Sequence, residues 1–143
     1  MTASPMFFRR ALFACAAVLA AVVLGLSLGV IPSVQADTTP GANPEAAVPV
    51  LWVITGLHLL VAVTLASIAI RWKARHWTST SVLVVLGLFV LLFGFALADA
   101  SSAYGLEGPA MQAASTLLRL CAAGDYLGGA LVIVMPFLRP KSE

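Results

Sequence analysis

The sequence predicts an all-α integral membrane protein, a small bundle of four transmembrane helices with both termini in the cytoplasm. Three observations predict it. Of 143 residues, 61 % are apolar and 10 % charged, whereas soluble domains run near ~45–50 % and ~25 %. The apolar residues gather in four runs, 11–31, 48–70, 81–98 and 113–138, each long enough as a helix to cross about 30 Å of hydrocarbon. The few basic residues fall on one side when these runs alternate in direction. This composition excludes a water-soluble enzyme domain and a disordered chain. With ~20 residues spent on each crossing, it also leaves no room for a large catalytic architecture. The runs are continuous, so helices are favoured over barrel strands, which would alternate apolar and polar residues over ~10 positions.

The first run has two readings. Arg9 and Arg10 precede it, and Val34-Gln35-Ala36 after Pro32 forms a small-residue pattern suited to signal cleavage before Asp37. The run is nevertheless longer than the ~7–15 residues of an ordinary signal core. Residues 1–36 are therefore read as a first transmembrane helix, with a cleaved signal peptide as the alternative, and 37–143 as a three-helix membrane domain. Cleavage would leave three spans.

Segment 37–45, Asp-Thr-Thr-Pro-Gly-Ala-Asn-Pro-Glu, reads as an extended linker leading into the second run. That run carries His58, with Thr55, Gly56 and Ser67 as small or weakly polar positions. Thr and Ser can bond back to the carbonyl four residues earlier, so they do not by themselves imply a ligand site. Arg71, Trp72, Lys73, Arg75 and Trp77 then form an interfacial anchor: the indoles suit the headgroup layer and the cations an anionic cytoplasmic leaflet.

The third run is almost wholly Leu, Val and Phe, so much of it is expected to face lipid. Gly87 and Gly94 would let one neighbour sit close. The segment 99–108 is expected to be an outer turn. The fourth run differs from the others because Arg119 and Asp125 interrupt it. Cys121, Ala122, Gly128 and Gly129 surround Asp125 at i−4, i−3, i+3 and i+4, and Gly124 with Gly128 has the Gly-x-x-x-Gly spacing. This helix is expected to be the packing centre.

Seven of the eight basic residues (Arg9, Arg10, Arg71, Lys73, Arg75, Arg139 and Lys141) share one compartment. The opposite loops hold only Asp37, Glu45, Asp99 and Glu107. The positive-inside rule makes the basic side cytoplasmic, and the pattern fits a multi-pass protein of a bacterial-type plasma (inner) membrane.

Ionisable groups at membrane depth need a partner or a purpose. His58 and Asp125 both fall ~15 Å deep, so a hydrogen bond or ion pair between them is expected if their helices are neighbours. Such a pair is either interhelical glue, the favoured reading, or a proton- or ion-linked site with Asp125 titrating. Arg119 lies ~6 Å below the outer boundary, shallow enough to snorkel, and Asp99 at the same surface is its expected partner. Arg119 and Asp125 lie about 120° apart on their helix, which makes direct pairing less natural, whereas Tyr126 falls near the Arg119 face.

Cys15 and Cys121 sit at different depths, ~7 and ~25 Å from the cytoplasmic ends of their helices, too far apart to bridge. With no cysteine pair, a membrane thiol oxidoreductase is excluded. One histidine inside a span does not supply two axial haem ligands. The first run has no acidic residue of the kind small multidrug exporters carry there. Phosphate loops, zinc-protease pairs and Ser-His-Asp sets are absent. No catalytic residue, metal site or cofactor is therefore expected, nor any nucleic-acid partner. The sequence reads as a small non-enzymatic accessory or structural subunit whose partners are the lipid bilayer and other membrane proteins or itself. The alternative is an oligomeric transporter or channel protomer using His58, Arg119 and Asp125.

Overall fold

A computed structural model describes residues 5–38, 40, 43–71, 78–104 and 109–138. Helix α1 (Pro5–Gly25) runs through a π-helical turn (Leu26–Val30) into α2 (Ile31–Gln35), and α3 (Pro44–Arg71), α4 (Thr78–Tyr104) and α5 (Pro109–Val134) follow. A 3₁₀ turn, Met135–Leu138, closes the described chain. Among the described residues, four helical stretches, Met6–Gln35, Pro44–Arg71, Thr80–Ser102 and Met111–Phe137, are long and apolar enough to cross a membrane. These are the features of a multi-pass membrane protein.

Local chemistry sets the helix ends. Pro32 has no N–H to give the Leu28 carbonyl, and the turn before it widens, with the Ile31 N–H reaching back to Leu26. Asn43 caps α3: its Oδ1 accepts from the Ala46 N–H at 3.2 Å, and Pro44 occupies the first helical position, where a missing N–H costs nothing. Pro49 lies in the second turn, so it forfeits only the bond to Glu45 near the helix end. Pro136 disfavours α geometry at Met135, and α5 gives way there to 3₁₀.

Two expectations about boundaries change. The linker expected over 37–45 gives way at Pro44, because Asn43 caps α3 four residues before the apolar run; residues 39, 41 and 42 lie outside the described residues. The turn expected from Asp99 is instead the last helical stretch of α4, which continues to Tyr104. Ser101 and Ser102 bond back to the carbonyls of Ala98 and Asp99 at 2.6 and 2.7 Å and so extend the helix without apolar residues. Residues 105–108 lie outside the described residues, as do 72–77 with Trp72, Lys73, Arg75 and Trp77; of the expected anchor only Arg71, exposed at the end of α3, is described.

The helices form a ring in the order α3, α1, α5, α4. The α4–α5 seam is the most extensive and α1 packs on both α3 and α5, whereas α3 and α4 meet sparsely. Consequently α3 and α5 face each other across the bundle. Glycine makes the α4–α5 seam close. A Cβ at Gly87 would stand 2.9 Å from the Gly129 carbonyl oxygen, and one at Gly129 would stand 2.9 Å from that of Gly87. Gly94 lies against Asp125 and the Tyr126 ring. Gly124 meets Val18 of α1, and a Cβ at Gly128 would touch nothing. The seam is thus built on Gly87, Gly94 and Gly129 rather than on the Gly124–Gly128 spacing.

The core divides into two apolar clusters. One holds Phe8, Leu12, Leu19, Leu65, Leu83, Val90 and Val132; the other holds Leu26, Ile31, Leu51, Leu97, Leu118 and Ala122. On α3 the division falls between Leu51 and Val61, and on α5 between Ala122 and Val132. His58 and Asp125 occupy that gap.

Candidate functional site

His58 reaches the bundle axis because it falls on the inward stripe of α3 with Leu51, Thr55, Val61 and Leu65. Asp125 does the same on α5 with Leu118, Cys121, Ala122 and Val132. Both are fully buried, and His58 Nε2 stands 2.8 Å from Asp125 Oδ2. The expected pairing forms, although α3 and α5 are not neighbours. The imidazole spans the bundle, and Gly94 on α4 clears the space beside Asp125.

The other ring nitrogen settles the tautomer. His58 Nδ1 is 2.8 Å from the Ile54 carbonyl oxygen. A carbonyl can only accept, so Nδ1 carries a hydrogen. A net charge here would be costly, because the low-dielectric interior offers it no counter-charge. In a neutral pair, one proton belongs to the Nε2···Oδ2 contact. It rests on nitrogen, giving imidazolium and carboxylate, or on oxygen, giving imidazole and carboxylic acid. Moving it between the two atoms leaves the net charge unchanged. Asp125 Oδ1 is buried without a hydrogen-bond partner among the described residues.

Phe93 of α4 completes the enclosure. Its ring lies over the imidazole with centroids 4.7 Å apart and planes at 34°, at the sparse α3–α4 seam. The sequence reading missed Phe93, because nothing distinguishes it from Phe89 or Phe95 in an apolar run. The Ile54 carbonyl was readable in principle, since it stands four residues before His58 on the same helix face.

The remaining candidates lie elsewhere. Arg119 is on the outward face of α5 and Asp99 on that of α4; both are exposed, and they form no ion pair with each other. The expected rim pair is therefore absent within the chain. The reason is the outward orientation of both side chains, beside an interior closed by Leu97, Ser101, Ser115 and Leu118. Tyr126 is half-buried, its ring edge-on to Phe95 with centroids 5.1 Å apart. The two cysteines are free and buried: Cys15 Sγ faces the Gly128 carbonyl at 3.9 Å, and Cys121 Sγ lies beside Gly25. At the basic end, Arg9 Nε donates to the Ala69 carbonyl at 3.1 Å, tying α1 to the last turn of α3.

Chemically, the arrangement is a buried polar contact between opposite helices that occupies both imidazole nitrogens and one of the two carboxyl oxygens. Comparison with protein-family models, with curated proteins and with solved structures finds no match to this chain.

Proposed function

We propose that this protein is a small, non-enzymatic subunit of the bacterial-type inner membrane, with both termini and the basic segment 71–77 cytoplasmic. Its task is to pack against other membrane proteins, and the His58–Asp125 contact is the clasp that fixes its own helix arrangement. One observation carries this reading. The polar pair is fully buried, saturates both imidazole nitrogens and has Phe93 closed over it. Such a contact resists helix sliding because separating it strands two polar groups in an apolar core.

Residues 1–36 belong to the working protein in this reading. Leu12, Leu19, Leu26 and Ile31 are each at most 1 % exposed, so loss of the segment would lay both core clusters open. An N-terminal mass measurement on purified protein is expected to place residues 1–36 in the chain, and a chain starting at Asp37 would refute their retention.

The unpartnered Asp125 Oδ1 favours one second reading, a transport protomer that passes protons or cations along Asp125 and His58. Vesicles loaded with a pH-sensitive dye separate the two. The packing role predicts no proton or cation flux above empty vesicles for wild type, and none for Asp125→Asn. Flux in wild type that Asp125→Asn abolishes, with the fold intact, would overturn the packing role in favour of transport.

A further inference from the structure

We propose that the α4–α5 outer face joins two copies of this chain as a twofold dimer, with Arg119 of each copy paired to Asp99 of the other. The inference begins from two opposite charges left without an ion partner among the described residues. Arg119 is exposed on α5, flanked by Leu120 at 65 % exposure, and lies within the apolar stretch Met111–Phe137. Even where its long stem lets it snorkel, a guanidinium on such a face is stabilised by a counter-charge at the same depth.

Asp99 stands at the same level. The α4–α5 register is pinned by the Ser115 hydroxyl donating to the Ser101 carbonyl at 2.8 Å and by Gly94 against Asp125. Asp99 and Arg119 both fall between these two contacts. They also share one surface. Tyr126 lies one heptad from Arg119, and Phe95 one turn from Asp99, so the Phe95–Tyr126 ring contact marks the side of the seam to which both charges belong.

Membrane geometry turns this into a prediction of partner. Two copies inserted in the same direction are related by a twofold axis along the membrane normal, so groups that meet across the interface lie at equal depth. A cation on one helix and an anion on the adjacent helix, side by side at one depth, are self-complementary under that rotation: each Arg119 meets an Asp99, twice. Exposed Phe95, at 63 %, and the small exposed residues Ala123 and Ala130 allow the two faces to approach around the charges. A second copy is therefore the occupant that the charge pattern fits.

Two differently tagged copies expressed in one membrane and captured through one tag in mild detergent provide the test. Wild-type copies are expected to copurify. Arg119→Asp with Arg119→Asp, and Asp99→Arg with Asp99→Arg, should each fall at least tenfold, because like charges then oppose. Arg119→Asp with Asp99→Arg should recover to the wild-type level, since both cross-pairs are attractive again. An ion pair within one chain would give no such rescue in trans. Should a reversed charge prevent folding, Arg119→Gln and Asp99→Asn are expected to weaken capture severalfold in a monodisperse, helical protein. Monomeric wild type, undiminished capture of like-charged or neutralised copies, or failure of the folded opposite pair would each overturn the dimer. Capture should survive Asp125→Asn, so the dimer stands or falls separately from the clasp.

Discussion

At the scale of single residues, His58 and Asp125 divide the labour of one hydrogen bond. With Nδ1 held as donor to Ile54, the Nε2 contact accepts a donor from position 125 whenever the imidazole is neutral. Asp125→Asn keeps one, because the amide nitrogen can donate to Nε2. Asp125→Ala keeps none and leaves Nε2 buried and unpaired, a loss of about 1–3 kcal/mol. Thermal unfolding in detergent is expected to place Asp125→Ala well below Asp125→Asn, with Asp125→Asn close to wild type. Equal losses would mean that position 125 acts through charge rather than through the bond. Position and depth made this pair readable in the sequence, since each residue lies about ten positions from the outer end of its run. The path of the bond was not readable, because it crosses the bundle instead of joining neighbouring helices. That depends on Gly94 clearing space and on the ring order of the helices, which hydropathy does not encode.

At the scale of elements, the α4–α5 seam rests on backbone approach. Gly87→Ala and Gly129→Ala would each set a methyl group 2.9 Å from a carbonyl oxygen of the facing helix, and backbone cannot swing aside. Each substitution is expected to destabilise the bundle by about 1–3 kcal/mol, the range for overpacking a close contact. Gly56 has no atom within 4 Å of where a Cβ would stand. Gly56→Ala should instead be neutral or raise the midpoint, by up to about 1 kcal/mol from helix propensity. Denaturation of the three variants side by side checks both signs. The sequence marked Gly87 and Gly94 correctly as a close-packing pair. It also offered Gly124 and Gly128, a spacing that chance supplies freely, and the contact fell on Gly129 because residue 129 points at α4 while residue 128 does not. The four helices were legible from apolar runs alone. The ends of α4 were not, because Asp99, Ser101 and Ser102 extend the helix through backbone and side-chain hydrogen bonds that a hydropathy reading scores as loop.

For the whole molecule, charge placement and packing answer different questions. The proposed orientation rests on the seven clustered basic residues and predicts opposite chemistry at the two faces. In a chain with both native cysteines replaced by alanine, a cysteine at Thr38 should react with an impermeant maleimide in intact cells. One at Lys141 should react only after permeabilisation, and the reverse pattern would invert the topology. Packing specifies how four apolar helices choose one arrangement in a solvent as apolar as themselves, where burial gives little preference. Glycine contacts hold α4 to α5, Arg9 ties α1 to α3, and the sparse α3–α4 seam is bridged at its middle by Phe93 on His58. Among the described residues the His58–Asp125 contact ties the one diagonal that carries a polar contact, and in the proposed account the arrangement depends on it. A double-mutant cycle on His58→Ala and Asp125→Ala, read by reversible unfolding in detergent, measures that dependence directly. The clasp predicts that the double variant loses less than the sum of the two single losses, by about 1 kcal/mol, near the upper range for polar contacts between membrane helices. Strictly additive losses would mean that the two residues stabilise the bundle independently, and would contradict the account.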